Sequence, residues 1–286
     1  MVKELPLTDF RAVRRVLESS DFALADDGPD GPESPPSDLI SEKAWHSIMD
    51  SPGDVAIHTT SHQGTRIATL DRLTSAWTEA FPPSPSIISH GMLDGFDAFQ
   101  ASVFNLVHGF YKEAISALRN ALETMVFAAT CSLANDTTAW DGWLVGDEIW
   151  FAKQCRRLQA LSPVDALDRK AQDTLAVSML IGDDGQGRNA WARNLYRRQC
   201  EFAHARGNAS NAELWESNGP IYSAKGFRIA FRTFLETHAL CLLLAKIGEP
   251  TLIYTETAKG ALKPVNVKEY IDAPHSRVCD FYAAAL

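Results

Sequence analysis

Between Asn189 and Gly207, in NAWARNLYRRQCEFAHARG, Arg197 and Arg198 precede His204 by seven and six residues. Each residue of an α-helix advances about 100°, so a separation of seven returns nearly to the same face. Arg193 then stands one turn before Arg197, and Cys200 lies between the arginines and the histidine. Such a set suits phosphate chemistry. Arginine grips phosphoryl oxygens in a permanently charged fork, and histidine gives or takes a proton near neutral pH. The same residues also have ordinary uses. Arg197 is four before Glu201, the spacing of a helix ion pair, and a histidine near a helix C-terminus is favoured by the macrodipole. Cys200, four before His204, reads as a small buried filler rather than a nucleophile, since no third orienting group accompanies it.

The elements that must hold these groups are helical. Phe99, Val103, Leu106, Val107, Phe110, Ile115, Leu118, Leu122, Met125 and Val126 recur at spacings of three and four. They predict a long helix over Asp94–Leu133, bent at Gly109. Further helices are expected over Asp147–Leu161, Asp165–Leu180, Asn189–Ala205 and Lys225–Ile247, the last two closed by Gly207 and Gly248. The most economical way to bury such stripes is an antiparallel bundle, so the fold class is all-α. Residues 1–90 form an irregular attachment. It has a short helix near Leu7–Leu17, an acidic, proline-rich loop at Ala25–Asp38, and a β-branched piece at Asp54–Leu73 that reads as a hairpin. Residues 91–250 are the bundle, and residues 251–286 are a tail that begins with strand-like TLIYTET.

Two segments carry a resemblance. FYKEAISALRNALE at Phe110–Glu123, followed by LYRRQCEFAH at Leu195–His204, is similar to the HEPN-like domains of bacterial phage-defence, toxin and abortive-infection systems. Those domains place an Arg and a Glu on an early helix, here Arg119 and Glu123. A later helix carries Tyr, Ser and His before a Gly, here Tyr196, Cys200, His204 and Gly207, with cysteine in place of serine. The resemblance implies a HEPN-like bundle, often dimeric, that cleaves RNA without metal. His204 would be the acid/base, Arg197 or Arg198 the phosphate clamp, and Arg119, Glu123, Arg193, Tyr196 and Cys200 the support. Other such domains are non-catalytic interaction modules that bind a partner protein, such as an antitoxin, or a nucleotide, and the sequence leaves both roles open. A hydrolase acting on a small phosphorylated ligand is a third role for the same Arg/His apparatus.

Composition limits the alternatives. With 286 residues, 45% hydrophobic and 22% charged, the chain can bury a substantial core. A net charge of -9 argues against a non-specific nucleic-acid coat but permits a local basic patch. Lys153, Arg156, Arg157, Arg169 and Lys170 are the cations that could join Arg193 and Arg206 in one. Five scattered cysteines without CxxC spacing suggest reduced thiols in a cytoplasmic protein, and no apolar run reaches membrane-spanning length. There is no GxxxxGK[ST], GxGxxG or GxSxG motif, so no cofactor is expected. His58 and His62 stand four apart, with Asp54 before them. In a hairpin that spacing has no geometric force, and no metal is expected.

Overall fold

The computed structural model describes residues 42–181, 190–203, 220–262 and 273–285. The chain forms α1 (Glu42–Glu79), α2 (Ile87–Val107), α3 (Tyr111–Ala134), α4 (Thr137–Leu144) and α5 (Phe151–Gln159). It continues through α6 (Val164–Leu175), α7 (Trp191–Ala203), α8 (Ala224–Gly248), α9 (Glu256–Leu262) and α10 (Ala273–Ala285). The fold is all-α. Among the described residues the single extended pairing is a parallel bridge between Ser178 and Ala190. No described helix is long and apolar enough to cross a membrane.

The apolar stripe read from the sequence does face the core. Phe99 and Leu106 of α2 and Ile115, Leu118, Leu122, Met125 and Val126 of α3 are fully buried. The expected long helix is two helices, because Gly109 takes φ 82° between α2 and α3. A side chain there would strike the backbone oxygen of Ile221 at 2.4 Å, so glycine is required both by conformation and by close approach. α8 packs against α3 and is buried along almost its whole length.

The expected hairpin over 54–73 is not present, and that stretch lies inside α1. Its β-branched residues fit a helix because Thr60 and Thr69, like Thr74 just beyond, return their hydroxyls to carbonyls four residues back, at 2.8, 3.0 and 3.0 Å. Leu70 and Trp77 then face the common core, and tertiary burial outweighs local strand preference. The regular path is broken at Gln63, where φ is -125° and ψ 16°. TLIYTET likewise forms no strand; Glu256 opens α9. The sequence expectations at Leu7–Leu17 and Ala25–Asp38 lie outside the described residues.

α7 is anchored through its backbone. The amides of Trp191, Ala192 and Arg193, which have no partners inside their own helix, donate to the carbonyls of Ser178, Met179 and Leu180 at 3.0, 2.8 and 3.3 Å. That accepting segment is held in turn by buried Asp168. Its carboxylate accepts from Ser178 Oγ at 2.6 Å, Met179 N at 2.8 Å and Tyr282 Oη at 2.9 Å. Asp168 thus helps to fix the start of α7, the helix that carries Arg193 and Tyr196.

Candidate functional site

α3 presents Arg119 and Glu123 one turn apart, with Nη2 and Oε1 3.2 Å from each other. α7 adds Tyr196. Its hydroxyl donates to Glu123 Oε1 at 2.5 Å and accepts from Arg119 Nη2 at 3.2 Å. The Arg119 guanidinium lies 5.3 Å from the Tyr196 ring centre. Phe151, the first residue of α5, stacks on that ring at 3.9 Å with 9° between planes. Burial, then the hydrogen bond and charge of Glu123, push the Tyr196 phenol well above its ordinary value. It therefore acts as a fixed donor. Burial opposes the charge on Arg119, but Glu123 and Tyr196 together hold its guanidinium more firmly protonated than usual.

This triad forms one wall of a cleft of about 730 Å³. Lys153 and Arg156 from α5 and Arg193 from α7 reach the same cleft, and Glu148 and Trp150 lie on its α5 side. Four cations against the two carboxylates Glu123 and Glu148 leave an excess of two positive charges in a chain of net charge -9. Among the described residues no carboxylate forms an ion pair with Lys153, Arg156 or Arg193. Their convergence has a second signature. The Cys155 thiol, pushed up to about 12 by burial, is pulled back in part by both Arg193 and Arg156. The first turn of α5 has no side-chain cap, and its residues Phe151, Ala152 and Lys153 line the cleft beside Trp150. Trp150 is 69% exposed, an apolar plate beside a cationic floor.

The structure thus brings together Arg119, Glu123, Arg193 and Tyr196. Cys200 adjoins them beside Tyr196, and burial raises its thiol above the ordinary value, away from the thiolate a nucleophile needs. Arg197 and Arg198 do not line the cleft. Arg197 is exposed and donates to Asn194 Oδ1 at 3.1 Å. Arg198 turns to α8 and meets the fully buried Glu236 at 2.5 Å, a carboxylate that Arg232 and Trp191 also approach. His204, Arg206 and Gly207 lie outside the described residues. Of the other cations, Arg157 pairs with Asp136, Arg169 pairs with Asp165, and Lys170 sits over Phe281. His108 is also elsewhere; its Nδ1 bonds Phe104 O at 2.8 Å. Trp150 and Phe151 escaped the sequence reading. The signal for them was an aromatic pair at the start of a short basic helix.

No family model matches the chain, and neither characterised proteins nor solved structures include one significantly similar to it.

Proposed function

We propose that this chain is a HEPN-like protein whose cleft between α3, α5 and α7 binds RNA through its phosphates, in a bacterial stress or phage-defence setting. The observation that carries the reading is the convergence of Lys153, Arg156, Arg193 and Arg119 from three helices on one cleft with an exposed tryptophan at its side. Phosphates favour such a cationic floor, and a base favours a bare aromatic plate. The phosphate clamp is reassigned accordingly. Arg193, Arg156 and Lys153 take the role that spacing suggested for Arg197 and Arg198, which have partners of their own.

In the catalytic form, as a cytoplasmic homodimer, His204 takes the proton from a ribose 2′-hydroxyl or gives one to the leaving oxygen. The arginines stabilise the added negative charge at phosphorus, and no metal takes part. His204 follows Tyr196 by eight residues in the sequence, and its residue type is the basis of this role. A second reading, a non-catalytic module docking a partner protein such as an antitoxin, is favoured by the exposed Leu144, Val145 and Trp150, at 61, 85 and 69%.

One experiment separates the two. A labelled single-stranded RNA is titrated with the protein and then run on a denaturing gel, with chelator present. The nuclease requires cleavage that His204→Ala abolishes while binding persists. Binding without cleavage at any pH leaves the module, and absence of binding at low salt removes the RNA reading altogether.

A further inference from the structure

The placement of 54–73 in a helix changes what His58 and His62 can do. At a spacing of four they share one helical face, and both are exposed. Their ring centres are 4.1 Å apart, with 35° between planes. His62 Nδ1 lies 2.8 Å from His58 O. A carbonyl oxygen only accepts, so the proton sits on Nδ1, and a neutral His62 ring presents a bare Nε2 lone pair to solvent. Ser61 Oγ, which donates to the same carbonyl at 2.8 Å, accepts from that Nδ1 proton at 3.1 Å. Metal-bound histidines are held in this way, by a backbone acceptor on the nitrogen that does not ligate.

Tyr222, distant in sequence, braces the pair. Its ring meets His58 edge-on at 4.6 Å and lies 5.3 Å from His62. Gln63, at the kink of α1, donates to its hydroxyl at 2.8 Å. Two imidazoles one helical turn apart, with ring centres 4.1 Å from each other, are near enough for one ion to draw a nitrogen from each. Imidazole nitrogen suits Ni²⁺ and Cu²⁺, which stand high in the affinity order of the divalent first-row metals. Among the described residues no group of three His, Cys, Asp or Glu side chains could hold a metal, so the pair offers two protein ligands and leaves the remaining positions to solvent. Asp54, one turn before His58, adds a favourable charge, and Arg66, one turn after His62, is occupied at 2.5 Å by Gln63 Oε1.

We propose that His58 and His62 form a surface site for a divalent transition metal of the Ni²⁺ class, separate from the cleft. The test is calorimetric titration of the untagged full chain with Ni²⁺. Wild type is compared with His58→Ala, His62→Ala and, at the C-terminal end of α2, His108→Ala. Either substitution in the pair is expected to weaken one equivalent of binding about tenfold or more, with His108→Ala unchanged. If wild type takes up no Ni²⁺, or if both pair variants titrate like wild type, the site does not exist.

Discussion

The sharpest consequence of the packing concerns His238, a histidine of α8 buried among Trp77, Phe99 and Phe234. Its Nε2 donates to Leu73 O at 2.8 Å, and burial lowers its pKa from 6.5 to about 4, with that hydrogen bond opposing the shift. The folded value lies below the unfolded one. Between them the unfolded chain binds a proton that the native core refuses. This contribution to stability is therefore complete above about pH 6.5 and declines as the pH falls towards 4. At about 1.4 kcal/mol per unit, lowering the pH from 7 to 4.5 removes about 2.5 kcal/mol through this one group. Carboxylates titrate over the same range, so the quantity to read is a difference between proteins. His238→Gln keeps an amide donor for Leu73 O and cannot titrate. Urea unfolding of both proteins at pH 7 and 4.5 should show wild type losing about 2 to 3 kcal/mol more than the variant. Equal losses would mean that the imidazole is not sealed in the core, and the packing of α1 on α8 would need to be redrawn.

Other substitutions probe the frame. Gly248→Ala would drive a methyl to 2.3 Å from Ile88 Cδ1 and 2.9 Å from Ala129 Cα, so a loss of about 1 to 3 kcal/mol is expected in denaturant melts. Asp168→Ala removes the acceptor shared by Ser178, Met179 and Tyr282 and should cost about 2 to 4 kcal/mol. Because that carboxylate helps to hold the start of α7, ligand binding in the cleft should weaken in the same variant even under conditions where it stays folded. Arg198→Met leaves the buried Glu236 short of one cation. A loss of about 2 kcal/mol or more is expected by thermal or urea unfolding, with RNA binding unchanged.

The helical stripes were legible because burial follows the 3.6-residue period so closely at Leu106, Ile115, Leu118 and Leu122. Ends and breaks were less so. Gly109 reads as a bend from sequence, but only the backbone of Ile221 against it shows why the helix stops there. α1 was misread because β-branched residues suggest a strand until Leu70 and Trp77 are seen in the core. In the site, i,i+4 spacing was enough to pair Arg119 with Glu123. It could not reveal that Tyr196, more than seventy residues later, comes to lie against both. The direction in which Arg198 turns depends on Glu236 of another helix, which no local pattern encodes.

The most direct test of the cationic cleft is the salt dependence of RNA binding. Each phosphate contact should contribute about -0.7 to the slope of log K against log salt for a single strand, so contacts through Lys153, Arg156 and Arg193 give about -2. Alanine at any one of the three should weaken binding and flatten that slope by about 0.7, while Arg197→Ala leaves it unchanged. A slope near zero in wild type, or a slope that the three cleft substitutions leave intact, would contradict the assignment of this cleft to phosphate.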